Sequence, residues 1–289
     1  MSISFTPNSG KDFTLLARVL LPLWLLCAAS SAEALQLPAP EALEKDPALH
    51  RQSVEVVEPH SSTSERQVRI TYVGVPVAVL LTRWFGDAWK APGVEVEFLA
   101  LDGYRSTVPA SKLSSLPAFL AMARADGAPF ELNNWEQKER VPLGPYYLIW
   151  DNLKVPELQR QGSSGWPYQV ARIRLRQAGD DATLRPPEAD AETLLGQADT
   201  AANCLTCHHL RGIGGEKYPE DLSTVLCRWT DADLQRWIEE PTRVRPGTSM
   251  PALNRVWPEV ERQKVTGRIL HYLNAVKHSA PSACAGVKR

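Results

Sequence analysis

Residues 201–215 read AANCLTCHHLRGIGG. Cys204 and Cys207 stand three apart, with His208 directly after them. That is the spacing of covalent c-type haem attachment. The chemistry asks for these residue types. Two thiols one helical turn apart add across the two haem vinyl groups, and the adjacent imidazole reaches the iron from one face. Two other chemistries share the cysteine pair. A redox disulfide of this spacing usually opens a helix within a βαβ unit, and a zinc site needs two further ligands at suitable spacing. With the export signal read below, one covalent haem c is the expectation.

A second axial ligand is expected downstream. The stretch RVRPGTSMPAL places Met250 in a loop between Gly247 and Pro251. An extended loop lets a thioether reach the iron without helical constraint. The other methionines are Met1 and Met122, the latter in a segment that reads as helix. Met250 filling a gap in an apolar core is the plainer alternative. His209, His271 and His278 are the other candidates for the position. Arg243 and Arg245, just before the loop, have the forked guanidinium that pairs with a haem propionate; two exposed arginines would look the same in sequence.

The first residues read as an export signal. Lys11 and Arg18 precede an apolar run over residues 19–29, and Ala32-Glu33-Ala34 follows. A run of that length with an A-x-A ending fits a secretory signal peptide over residues 1–34, cleaved near Ala34. An uncleaved anchor or a lipid on Cys27 are the alternatives. Pro22 and the shortness of the run weigh against the first, and the bulky Leu26 against the second. The expected location is the periplasm, with no stable membrane span after cleavage. An oxidising compartment permits disulfides. Cys227 and Cys284 are left over from the haem motif, so they are the candidate disulfide pair; two separate thiols remain the alternative.

The chain has 289 residues, 32 basic and 33 acidic, for a net charge of −1. No basic cluster marks a nucleic-acid surface. The 23 prolines indicate many loops, and the nine tryptophans indicate core or interface anchors.

The elements that must hold the motif follow from patterning. TDADLQRWIEEP (230–241) reads as a helix with Asp near its start and Pro241 as a stop, and EVERQKVTGRILHYLNAV (259–276) as a helix with Val265, Ile269, Tyr272 and Leu273 on its inner face. Gly196 lies eight residues before Cys204, and Gly214-Gly215 follow the motif. With CLTCH and the Met250 loop, these features make residues 191–289 resemble a class I cytochrome c domain. The resemblance implies an all-α fold whose first and last helices cross closely, with His208 and Met250 as axial ligands.

Residues 35–65 read as an extended, polar, poorly ordered or wrapping segment, and 179–190 as a linker. Between them, residues 66–178 read as α+β. QVRITYVG, VEVEFLAL, GPYYLIWD and WPYQVARIRLR read as strands, VPVAVLLTRWFG and LPAFLAMARADG as helices, and Asp102-Gly103 as a hairpin turn. The order of VEFLALDGYRSTVPASKL, ADGAPFELN, GPYYLIW and WPYQVARIRL resembles the molybdopterin-binding fold of the sulfite oxidase family, with a mixed sheet. That family holds molybdenum through a cysteine thiolate, yet no cysteine occurs from 35 to 203. The resemblance therefore implies the fold without the cofactor, and molybdopterin is not expected.

The expected function is single-electron transfer by a haem-bearing periplasmic protein in a respiratory chain. The donor would be an exported dehydrogenase and the acceptor a cytochrome or an oxidase. Full axial ligation leaves no open iron site, so no catalytic residue is assigned. The α+β part would dock redox partners through Trp84, Trp89, Trp135, Tyr146, Tyr147, Trp150 and Trp166, or carry a small residual pocket with Asp102, Asn133 and Asn134. Two other functions stay open: a molybdenum-dependent oxidoreductase with a fused haem outlet, and a haem-based redox sensor or binding module.

Overall fold

Alternating and wholly buried apolar runs build two antiparallel sheets, each reached from both ends of the first 178 residues. The structure, a computed structural model, describes residues 1–2, 4, 33–63, 65–133, 140–179, 181–254, 257–279 and 284. The strands are β1 (Leu35–Gln36), β2 (Gln52–Val57), β3 (Arg69–Pro76), β4 (Val94–Ala100), β5 (Arg105–Pro109), β6 (Ala118–Arg124), β7 (Glu131–Asn133), β8 (Arg140–Pro142), β9 (Tyr147–Trp150), β10 (Val170–Gln177), β11 (His209–Leu210) and β12 (Ile213–Gly214). The α-helices are α1 (Pro40–Glu44), α2 (Val77–Phe85), α3 (Ala110–Ser115), α4 (Ala191–Asn203), α5 (Leu222–Val225), α6 (Asp231–Glu239), α7 (Pro241–Val244) and α8 (Glu259–Ser279). One sheet runs β1-β10-β4-β5 and the other β2-β3-β6-β9, while β7-β8 and β11-β12 form two-stranded ribbons.

The segment 35–65 joins both sheets. β1 pairs with β10, and β2 pairs with β3. Leu37, Leu43, Leu49, Val54 and Val56 on this segment are buried in the first apolar cluster. The signal-peptide reading of residues 1–34 falls mainly outside the described residues. Among the described residues, no helix is long and apolar enough to cross a membrane.

The fold differs from the expected pair of domains in three ways. First, Ala32–Arg289 forms one compact unit rather than an α+β domain followed by a separate all-α domain. Second, the described strand pairings are antiparallel, so the sheets are not mixed. Third, the region after residue 190 is not all-α. It contains the β11-β12 ribbon, and only α8 is a long helix at its end. The ribbon forms because Arg211 and Gly212 both take positive φ, at 53° and 76°, as in the hairpin turns whose twist matches that of paired strands. The 179–190 linker is docked rather than free. It carries a short helical turn at Ala182–Leu184, Leu184 is buried in the second apolar cluster, and its carbonyl accepts a 2.8 Å bond from Tyr272 Oη.

LPAFLAMARADG is also corrected from helix to strand. Its residues form β6, paired with β3 on one side and β9 on the other. Positions 118–122 are all buried, so no alternation betrays the strand, and Ala, Leu and Met carry high helix propensity. Burial against neighbouring strands overrides that local preference.

The aromatic residues expected to dock partners lie mostly inside. Trp89, Tyr146, Tyr147, Trp150 and Trp166 are core residues, Trp84 is partly buried against them, and Trp135 lies outside the described residues. At their centre the buried Glu58 carboxylate accepts hydrogen bonds from Tyr72 Oη at 2.7 Å, Tyr147 Oη at 2.9 Å and the His60 N–H at 3.0 Å. A buried carboxylate is tolerated because both of its oxygens meet donors.

Helix α4 begins at Asp190, whose side chain accepts the Thr193 N–H at 2.7 Å. It crosses α8 at Gly196. A Cβ there would lie 2.1 Å from the Arg268 carbonyl oxygen and 2.8 Å from Tyr272 Cβ. Arg268 also pairs with Asp199 at 2.6 Å. Cys227 and Cys284 are joined as a disulfide, with Cα atoms 5.3 Å apart and a sequence separation of 57. Closing a loop of that length restricts the unfolded chain, so Cys227→Ser/Cys284→Ser is expected to lower stability by roughly 2–4 kcal/mol in denaturant titrations.

Candidate functional site

The end of α4 delivers the motif. Cys204 is the C-cap of α4, its N–H donating to the Thr200 carbonyl at 2.8 Å. One further turn follows, in which the N–H groups of Cys207 and His208 donate to the Cys204 carbonyl at 3.1 and 2.9 Å. Residues three apart in such a turn share one side of the chain, and both thiols are free. Burial pushes the Cys204 thiol up to about 12, and it also raises Cys207, although Lys217 pulls the latter down. Both are therefore neutral thiols at physiological pH.

Two glycines close the chain over the motif. Gly215 donates to the carbonyls of Leu205 at 2.8 Å and His208 at 3.0 Å. A Cβ at Gly214, where φ is +126°, would lie 2.3 Å from the His208 carbonyl oxygen, and one at Gly215 would lie 2.3 Å from that of Thr206. The backbone could not fold back this tightly with side chains at either position.

His208 is half-buried. Burial, followed by the neighbouring His209, lowers its pKa and holds the imidazole neutral, the form that can ligate a metal. Its ring stacks on Tyr218, with centroids 4.8 Å apart and planes 21° apart. Tyr218 Oη in turn shares a 2.7 Å hydrogen bond with Ser249 Oγ. Tyr218 thus links the two candidate axial ligands, because Ser249 directly precedes Met250. The Met250 side chain is half-buried and packs against the second apolar cluster, and its N–H donates to Thr248 Oγ1 at 3.2 Å.

The other histidines are engaged elsewhere. His209 Nδ1 lies 3.4 Å from the Gly215 carbonyl, and its Nε2 lies 3.9 Å from Asp221. His271 contacts Thr193 Oγ1 at 3.1 Å and Asp190 at 3.6 Å, at the start of α4. His278 is exposed and bonds the Asn274 carbonyl at 2.7 Å. Arg243 is exposed and paired with Glu240 at 2.6 Å, and Arg245 is exposed at the end of α7. Nothing places either arginine against the cysteines.

Sequence reasoning missed the residues that surround the motif from the sheet side. The turn between β4 and β5 lies against it. The Arg105 N–H donates to the Thr206 carbonyl at 2.8 Å, and the Glu216 N–H to the Gly103 carbonyl at 2.9 Å. Lys217 pairs with Asp102 at 2.7 Å, and Arg105 pairs with Glu216. Tyr104 is pushed well above its usual value, first by burial and then by the nearby Cys207 sulfur. The hairpin turn itself was legible, but no local signal says what it touches. Asp102 therefore belongs to this contact and not to a pocket. Asn133 is exposed, its carbonyl accepting from Ser61 Oγ at 2.6 Å, and Asn134 lies outside the described residues.

Among the described residues, no three His, Cys, Asp or Glu side chains converge to hold a bare metal ion. The residues present do fit a covalently bound haem: two neutral thiols one turn apart and a neutral imidazole beside them. No known protein family matches the chain, and no curated protein is similar to it.

Proposed function

We propose that the chain is an exported one-electron carrier with a single haem c attached at Cys204 and Cys207, and with His208 and Met250 as the residues that would hold its iron. The observation that carries this reading is the pair of free thiols one turn apart beside a neutral, half-buried imidazole. When bound, the haem supplies a one-electron iron couple. The chain's own residues do the rest. The thiols anchor the macrocycle, each S–H adding across one vinyl double bond with no change in electron count. His208 stays neutral because it is buried, and Tyr218 links its ring to the loop bearing Met250. The apolar cluster against which Cys204 and Met250 pack would shield a bound haem from water, which favours the less charged reduced form. The donor would be an exported dehydrogenase and the acceptor a cytochrome or a respiratory oxidase, met in small, short-lived contacts.

The test is a redox titration of the full-length protein matured in an exporting host. Covalent haem that survives denaturation is expected. Met250→Ala is expected to keep that haem and to lower its potential on the order of 100 mV, within the ~0.8 V span that axial ligands command. A protein without bound haem after maturation would sink the reading.

A further inference from the structure

We propose that the sheet region is a brace for the two chain segments that carry the candidate haem ligands, with Gly103 and Trp257 as positioning residues. The inference rests on the haem reading above and adds what sets the ligand positions. The first segment, 204–217, carries both cysteines and His208. The turn after β4 grips it through two backbone hydrogen bonds, Arg105 to Thr206 and Glu216 to Gly103, flanked by the Asp102–Lys217 and Arg105–Glu216 ion pairs. Gly103 makes that approach possible. Its φ is +86°, and a Cβ would lie 2.8 Å from the Glu216 carbonyl carbon.

The second segment carries Met250 and ends at Trp257. A different part of the sheet region grips it, the helical turn Pro156–Gln161 and Gly162 after it. Trp257 Nε1 donates to the Arg160 carbonyl at 2.7 Å. Gly162, at φ +56°, lies so close to this segment that a Cβ would meet the Asn254 side chain at 2.4 Å. On its other flank, Leu253 is buried and its N–H reaches the Ile238 carbonyl at 3.3 Å. Each ligand-bearing segment is thus tied to its own site on the sheet region. The distance between His208 and Met250 then depends on a scaffold outside the helices that follow the motif. With haem bound, the tie on this loop would set how firmly the Met250 thioether is held toward the iron.

The test uses Trp257→Phe, which removes one donor and keeps the ring packing, and Gly103→Ala, which strains the other grip. In the haem-loaded protein, imidazole titration reports displacement of Met250, and the sulfur-to-iron absorption band reports its ligation. In the haem-free full-length chain, hydrogen exchange reads each segment directly. Trp257→Phe is expected to retain covalent haem, weaken the sulfur-to-iron band and tighten imidazole binding about fivefold, the effect of losing one hydrogen bond of ordinary strength. Exchange over 248–253 is expected to rise by a similar factor. Gly103→Ala is expected to speed exchange over 206–217 instead. If both variants leave exchange and imidazole affinity within about twofold of the unchanged protein, a margin set below that same hydrogen-bond effect, the brace is overturned. Absence of covalent haem in the unchanged protein would sink the haem reading alone, because the exchange measurements need no haem.

Discussion

Replacing both Cys204 and Cys207 with alanine is expected to leave the exported protein without any haem that survives denaturation, while the fold persists. The reason is covalency: noncovalent contacts are lost in denaturant and thioether bonds are not. The cysteines are also not part of the structural disulfide, which joins Cys227 and Cys284. Each single variant is expected to retain haem through the remaining sulfur, at reduced yield. The measurement is the haem-stained band on a denaturing gel, with near-ultraviolet circular dichroism as the check on folding. A double variant that still carries denaturation-resistant haem would place attachment elsewhere and remove the basis for the proposed function.

The second large effect concerns stability. Gly196→Ala is expected to destabilise the protein by about 3 kcal/mol or more, since overpacking at a rigid contact costs that much. Its Cβ would lie 2.1 Å from a main-chain carbonyl oxygen of α8, a group that cannot swing aside. The thermal midpoint should fall by roughly 6–10 °C, given the usual conversion for chains of this size. Gly267→Ala on α8 is the internal control. Nothing lies within 4 Å of a Cβ at that position, so the helix should gain up to about 1 kcal/mol from the better propensity of alanine. Equal effects from the two substitutions would show that α4 and α8 do not cross where described.

Much of the local structure was legible. The alternating runs became β3 and β4, the runs rich in aromatic and β-branched residues became β9 and β10, and the apolar run VPVAVLLTRWF became α2. The helices α6 and α8 lie where their apolar spacing put them, and Val265, Ile269, Tyr272 and Leu273 are buried. β6 was misread because strands buried on both faces have no period to read. The tryptophans and tyrosines were ambiguous for a related reason: composition marks them as anchors but not as anchors of core or of interface, and the fold buried five of them.

Residue type and spacing alone determined the candidate chemistry of this protein. The thiols, the imidazole and the glycines behind them lie within a dozen positions, and a covalent turn of chain brings them together whatever the rest does. The pairing of the sheet region with that turn was decided only by tertiary structure. Asp102 meets Lys217, and Arg105 meets Glu216, across 115 and 111 positions of sequence. Contacts over such separations leave no pattern in either segment, since each residue would look equally at home facing water. They exist because burial of two apolar clusters fixes where the hairpin turn and the motif come to lie.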